Sequence, residues 1–252
     1  MKKKIYIISI VLVVVLVSFT LLVRVYTYNY SGYQKIVQNV IDKYGVFEQE
    51  GFTGEIYSGL IYGEFIDFDN NGVEEMVLVY RNEDSSEGWG TVAVYSITNK
   101  KAQQIFLCPI DASLTQTDAN YKISYSIKED GTYLIVDTVR KNPPENGWNE
   151  KRVIFTIKDK LRVCEVLYGE ILDFMEYGEI IYTKCMINEE IVPIDKYKTI
   201  NSSYDDSNSI HIYLHTLESG DKGNEQYISY SKLINFMNLL DQKADKKLFG
   251  ET

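Results

Sequence analysis

Residues 65–80 read FIDFDNNGVEEMVLVY, which is an apolar run, a polar segment around one glycine, and a second apolar run. Apolar runs of this length that flank Asp, Asn and Gly are typical of two β-strands joined by a short connection. The stretch therefore predicts a strand, a polar loop and a second strand.

The same strand–turn–strand pattern recurs along the chain to about residue 187. Apolar or alternating runs flank short polar turns at residues 98–101 and 158–160, and the dipeptide Asp130-Gly131 is a strong hairpin signal between two further runs. The chain also contains 21 Tyr and only four Pro, which favours strands. We predict a mainly β fold, an antiparallel meander of about eight to ten strands that forms a partial propeller, a sandwich or an open sheet.

Two segments with helical spacing bracket this β-rich region. Residues 31–45 place apolar side chains on one face, with Ser31 as an N-cap and Gly45 able to end the helix. Residues 229–244 repeat apolar residues at the same spacing. We predict one β-rich domain over residues 46–252 that ends in this second helix.

Residues 188–209 are polar and show no clear periodicity, so we expect an irregular connection there. The following segment, residues 209–217, alternates apolar and polar residues and predicts a strand. His211 and His215 lie on this strand, about 13 Å apart, which is too far for them to share one metal ion.

An apolar segment without charge occupies residues 5–23. As a helix it is about 28 Å long, enough to cross the hydrocarbon core of a bilayer. Three lysines precede it and one arginine follows, which places residues 1–4 in the cytoplasm. The segment is long for a signal peptide and lacks a clear cleavage site, and no cysteine follows it before Cys108. We predict an uncleaved signal anchor of a single-pass cell-membrane protein whose C-terminal domain is extracytoplasmic.

The charge distribution limits the partners. All 36 acidic residues follow residue 24, and the chain carries a net charge of −10. Such a surface repels nucleic acid and attracts cations. The sequence also lacks a P-loop, a dinucleotide-binding fingerprint and a basic stripe. We expect the membrane, through residues 5–23, and an unknown protein or envelope component as partners, and no nucleic acid.

The polar segment of the opening stretch has the spacing of a cation-binding loop. Ca²⁺ takes about six to eight oxygen ligands from a chain that curls around it, and Gly72 permits such a bend. Oxygen-bearing groups stand mostly on alternate positions around this glycine: Asp67, Asp69, Asn71, the carbonyl of Val73, and Glu75. An EF-hand would need a carboxylate at Leu78 and flanking helices, so we predict a different kind of calcium loop, with a structural role.

This strand–D-x-D-x-[DN]-G-x-x-[DE]–strand pattern resembles the calcium loop of FG-GAP/VCBS-type β repeats. Its single copy is similar to units in membrane-anchored or lipoprotein-like ectodomains of low-GC Gram-positive bacteria. Propellers of this class carry several copies, whereas this chain contains one. The resemblance implies a Ca²⁺ ion with these ligands: Asp67, Asp69, Asn71 and Glu75 through their side chains, and Val73 through its carbonyl.

The remaining chemistry-bearing residues are ambiguous. Cys108, Cys164 and Cys185 form no C-x-x-C pair, and one disulfide with a free thiol or three buried thiols are both compatible with an odd count. Trp89 and Trp148 stand beside glycines, where they can form a stacking platform or pack at the edge of the core. These residues do not identify a chemical reaction.

No catalytic motif is recognisable, and none of the many carboxylates is singled out as a pair. We therefore predict a non-enzymatic binding or interaction module with a structural calcium loop. The alternatives are a cell-envelope hydrolase that uses carboxylates, and a membrane-tethered accessory, immunity or sensor protein.

Overall fold

The computed structural model describes a set of ranges that together form eleven β-strands and three α-helices: residues 30–46, 59–81, 90–98, 101–110, 119–142, 147–174, 179–204, 210–215 and 224–245. In these ranges no helix is long and apolar enough to cross a membrane. The cytoplasmic residues 1–4 and the anchor at 5–23 that the sequence predicts lie outside them.

The first antiparallel sheet follows helix α1, residues 30–44. Its strands pair in chain order: β1 (Gly59–Ile66), β2 (Glu75–Arg81), β3 (Gly90–Thr98) and β4 (Lys101–Ile110). Each strand is joined to the next by a short connection, which is the geometry that antiparallel neighbours allow.

The second antiparallel sheet has the order β10-β9-β8-β7-β6-β5-β11. Its strands are β5 (Ala119–Lys128), β6 (Gly131–Asn142), β7 (Gly147–Lys158), β8 (Leu161–Phe174), β9 (Glu179–Ile187), β10 (Glu190–Ile191) and β11 (Ile210–His215). Helix α2 (Ile194–Ser203) lies between β10 and β11, and helix α3 (Asn224–Asp245) ends the described chain. The prediction of a mainly β, antiparallel fold is confirmed.

The largest core lies between the two sheets and contains side chains from both. On β2, Val77 and Val79 belong to this core, whereas Met76 and Leu78 belong to a core on the opposite face of the sheet. This is the two-residue alternation of a strand. Phe106 of β4 and Phe155 of β7 stack across the gap with ring centroids 4.6 Å apart, so the sheets face each other.

The outer faces of both sheets carry helices. Helices α1 and α3 cover the first sheet, where Tyr33 and Val37 pack with Phe236 and Leu240. Helix α1 spans residues 30–44 where a helix at 31–45 is predicted, and helix α3 spans Asn224–Asp245 where a helix at 229–244 is predicted.

Helix α2 covers part of the second sheet, and its Tyr197 is 1% exposed. The prediction of an irregular connection over residues 188–209 is therefore wrong for the part that forms β10 and α2. This helix is polar along most of its length, and it packs through Tyr197 and the partly buried Ile200 against a sheet that local periodicity does not reveal.

Candidate functional site

The predicted calcium loop connects β1 to β2, since Ile66 ends one strand and Glu75 begins the next. Two residues of the loop have left-handed backbone conformations, Asn70 at φ 54° and Gly72 at φ 82°. Asn and Gly are the residues that tolerate this conformation best. The glycine thus lies where the chain bends.

The loop is held together by its own polar side chains. The Asp67 carboxylate accepts the backbone N–H of Asn71 at Oδ1 (3.0 Å) and that of Gly72 at Oδ2 (2.7 Å). The Asn71 Oδ1 atom accepts the backbone N–H of Val73 at 2.7 Å. A carboxylate or amide oxygen has two lone pairs, so each of these oxygens keeps capacity for a further partner.

Glu75 is the most buried of the predicted ligands, with 3% of its surface exposed. Its Oε2 accepts the backbone N–H of Phe68 at 3.4 Å, and its Oε1 accepts the Ser96 hydroxyl at 3.1 Å. Burial raises the pKa of Glu75 to about 7; these hydrogen bonds lower it, and the charges of Asp69 and Asp67 raise it further. A buried carboxyl group thus lies close to two other carboxylates.

Asp69 contributes an oxygen without a partner. Its Oδ1 is buried and accepts no hydrogen bond from the described part of the chain. A buried oxygen of this kind costs about 1–3 kcal/mol, and more when it is charged, so it calls for an explanation. A cation at this position would remove that cost.

The five predicted ligands are thus only partly brought together. Asp67 and Asp69 lie near enough to Glu75 to raise its pKa, whereas the side chain of Asn71 accepts the backbone N–H of Val73. Among the described residues, no three His, Cys, Asp or Glu side chains already converge as a metal site. The donor types fit a hard cation, since all are oxygens.

Phe68 attaches the loop to the second sheet. Its side chain is fully buried and packs edge-on against Phe155, with ring centroids 5.4 Å apart. Its carbonyl oxygen accepts the backbone N–H of Thr132 at 2.9 Å. A Cβ on the preceding residue, Gly131, would lie 2.8 Å from that same oxygen, so the close approach requires glycine.

Glu74 attaches the loop to the helices. The Tyr30 hydroxyl of α1 donates to its Oε2 at 2.7 Å, and Lys243 of α3 forms an ion pair with it. The Lys243 ammonium also lies 4.7 Å from the ring centroids of both Tyr30 and Phe65. Burial raises the pKa of Glu74, but the hydrogen bonds from Lys243 and Tyr30 outweigh it and leave the pKa below its ordinary value.

Sequence reasoning missed the residues that surround the loop: Tyr30, Ser96, Thr132 and Lys243. Ser96 lies 21 positions from Glu75 and Lys243 lies 169 positions from Glu74, so no local pattern connects them. Only the Asp130-Gly131 turn signal pointed to one of the neighbouring elements.

No protein-family model, curated protein or solved structure matches the chain. The resemblance to FG-GAP/VCBS-type repeats therefore stays a prediction that depends on the residues of the loop.

The other residues singled out from the sequence lie elsewhere. The three cysteines are free thiols; Cys108 and Cys185 are buried and Cys164 is exposed. Both histidines lie on β11, as their alternation with apolar residues predicts. Trp148 is half-buried in β7, and Trp89 lies outside the described residues.

Proposed function

We propose that the chain is a membrane-anchored, extracytoplasmic binding or interaction module in which the loop between β1 and β2 holds a structural Ca²⁺ ion. The observation that carries the calcium part is the buried, unpartnered Oδ1 of Asp69 beside the buried carboxyl of Glu75. A divalent cation supplies the missing partner and offsets the repulsion between the carboxylates. The ligands proposed are Asp67, Asp69, Asn71, Glu75 and the carbonyl of Val73.

A structural role follows from what the loop contacts. Phe68 joins it to the second sheet, and Glu74 joins it to helices α1 and α3. An ion that orders this loop would therefore stabilise the junction of both sheets and two helices. Ligand binding that is confined to the folded state raises stability by mass action.

The membrane part of the proposal depends on residues 5–23 and the lysines before them. Helix α1 is described from residue 30, shortly after the proposed span. Because the Tyr30 hydroxyl bonds Glu74, the calcium loop lies at the end of the domain that the anchor reaches. Ca²⁺ would then order the domain next to its attachment to the membrane.

Thermal unfolding of the full chain in lipid nanodiscs tests the calcium part. We expect the melting temperature to rise with Ca²⁺ concentration and to fall when a chelator is added. The Asp69→Asn variant should lose this response, while Asp195→Asn, an exposed acid in the first turn of α2, should keep it. An identical melting temperature of the unmodified chain in Ca²⁺ and in chelator would remove the ion from the proposal.

Labelling of Cys164 tests the location, since it is the exposed thiol of the three. A membrane-impermeant maleimide applied to intact cells that express the full chain should label Cys164. A Cys164→Ser variant controls for labelling elsewhere. Labelling that appears only after lysis would contradict an extracytoplasmic domain.

A further inference from the structure

A cleft of about 140 Å³ opens between the two sheets. It is lined by two residues of β4 and by residues of three strands of the second sheet: Cys108, Pro109, Val136, Thr138, Asn149, Lys151, Val153 and Tyr168. None of these residues belongs to the loop between β1 and β2.

The cleft exists because the strands of the two sheets differ in length. Strand β4 ends at Ile110, whereas β7 has 12 residues and β8 has 14. Phe106 of β4 stacks on Phe155, so Cys108 comes opposite the part of β7 nearer its start, where Val153 and Lys151 lie. Among the described strands, β7 and β8 continue past the end of β4.

The inner part of the cleft is apolar. Val136, Val153 and Cys108 are each at least nine-tenths buried and belong to the core between the sheets. The Cys108 thiol is a poor nucleophile, because burial raises its pKa to about 11. This part of the cleft therefore offers surface for an apolar group and no reactive group.

The described residues at the mouth of the cleft are polar, and none of them is acidic. The side chains of Thr138, Asn149 and Lys151 make no hydrogen bond or ion pair within the described part of the chain. Of the described lining residues, Lys151 is the one that carries a charge, in a chain with 36 acidic and 26 basic residues. An ammonium group without an ion-pair partner, beside a hydroxyl and an amide without hydrogen-bond partners, is a site for an anionic oxygen group.

A carboxylate on this face, that of Glu170, is already engaged. Glu170 stands opposite Asn149 in the β7–β8 ladder, and its Oε1 contacts both the Tyr168 hydroxyl at 3.4 Å and the Lys184 ammonium at 3.5 Å. Its charge is thus paired on the side away from Lys151. The positive charge at the mouth of the cleft stays available to a ligand.

From this arrangement we infer that the cleft binds a small organic monocarboxylate. The carboxylate accepts hydrogen bonds from Lys151, Asn149 and Thr138, and an apolar body no larger than one ring lies against Val136 and Val153. The size limit follows from the volume, since a cavity of about 150 Å³ holds one benzene molecule. The proposed interaction module would then have a binding site for a metabolite-sized acid.

This inference does not depend on the calcium loop. The loop meets the second sheet at Thr132, and the cleft includes Thr138 on the same strand, about 20 Å further along β6. A chain that fails to bind Ca²⁺ can still bind a carboxylate, and the reverse also holds. The two failures are therefore distinguishable.

Benzoate is the probe for the test, because its ring shifts the resonances of methyl groups that it contacts. The full chain, labelled at its valine methyl groups and held in nanodiscs, is titrated with benzoate at neutral pH. We expect saturable shifts at Val136 and Val153 with a dissociation constant on the order of 1 mM. Benzyl alcohol, which has the same ring without the charge, should bind at least about tenfold more weakly.

Two variants test the polar contacts, and a third is the control. Lys151→Gln should weaken benzoate binding about tenfold or more, because it removes the charged donor. Asn149→Asp keeps the shape and should abolish binding by repulsion. Lys160→Gln changes an exposed lysine of the β7–β8 turn and should bind as the unmodified chain does.

Three results would overturn the inference: shifts at Val136 and Val153 that do not saturate, equal affinity for benzoate and benzyl alcohol, or unchanged affinity in Lys151→Gln. Because Lys151 is exposed, its replacement by Gln leaves the core intact. The melting temperature of each variant checks this directly.

Discussion

The backbone N–H of Thr132 donates a hydrogen bond to the carbonyl oxygen of Phe68, with an N···O distance of 2.9 Å. This bond joins the loop of the first sheet to the β5–β6 hairpin of the second. It is buried, since Thr132 is 4% exposed and Phe68 is fully buried. The loop is therefore part of the contact between the sheets as well as a turn.

Gly131→Ala should destabilise the protein because the new Cβ meets the Phe68 carbonyl oxygen at 2.8 Å and the backbone is at φ +134°. We expect a loss of about 2–4 kcal/mol in the free energy of unfolding, measured by urea denaturation. Gly45→Ala is the matched control: its φ is +80° but nothing lies within 4 Å, so only the backbone cost of about 1–2 kcal/mol applies. Equal losses in the two variants would show that the contact with Phe68 is unimportant.

The stability of the calcium-free protein should decrease as pH rises from about 4.5 to 7. The pKa of Glu75 is raised from 4.5 to about 7 by burial, so the folded state holds this proton more tightly than the unfolded state across that window. The contribution is about 3 kcal/mol below pH 4.5 and is lost as the pH rises to about 7. Urea denaturation in chelator at several pH values measures it.

The Glu75→Gln variant is the control for this pH dependence, because glutamine has nearly the same shape as glutamate and its amide group does not titrate. In chelator its stability should change less across the same window than that of the unmodified chain. It should also lose stabilisation by Ca²⁺. If both chains show the same pH profile, another group is responsible.

Lys243 and Glu74 should be energetically coupled, because their side chains are only 22% and 36% exposed and both contact Tyr30. Lys243 lies over the Tyr30 ring, and Glu74 accepts the Tyr30 hydroxyl. A double-mutant cycle with Lys243→Met and Glu74→Gln should give a coupling energy of about 1 kcal/mol.

The comparison pair is Lys158 and Asp130, at 2.8 Å but 41% and 56% exposed. Solvent screens this pair, so its coupling should stay below about 0.5 kcal/mol despite the short distance. A larger coupling at the exposed pair would contradict the importance of burial for Lys243.

The three thiols should differ in reactivity. N-ethylmaleimide should modify Cys164 in the folded protein, whereas Cys108 and Cys185 react only after unfolding, because both are buried. Peptide mass spectrometry before and after addition of urea distinguishes the sites. Rapid modification of Cys108 in the folded protein would show that the cleft beside it opens more widely than the structure indicates.

Strand positions followed from local patterns. Asp130-Gly131 predicts the hairpin in which Lys128 pairs with Gly131. GEFIDFD and EEMVLVY predict β1 and β2, although β1 starts and ends earlier than GEFIDFD, at Gly59 and Ile66. Helix α2 was missed, because its burial is mostly that of Tyr197 against the second sheet. A polar segment with so few packed side chains shows no clear hydrophobic periodicity.

The predicted ion ligands were readable because they lie within nine residues, 67 to 75, with fixed spacing. The residues around these ligands could not be predicted, because they are distant in the chain. Glu75 accepts a hydrogen bond from Ser96 on β3, and Glu74 forms an ion pair with Lys243 on α3. The cleft could not be predicted at all, as Cys108 and Lys151 belong to different sheets.

Local patterns in the sequence indicate most of the strands, the turns between them, and the oxygen-bearing residues that crowd one loop. These features depend on residues near one another in the chain, through side-chain alternation and turn residues. That the sheets face each other, that Phe68 joins the loop to the second sheet, and that Lys151 lies at the mouth of a cleft with an apolar interior are visible only in the folded chain. These relationships depend on how far each strand extends and which faces are buried together, because packing brings residues from distant parts of the chain into contact.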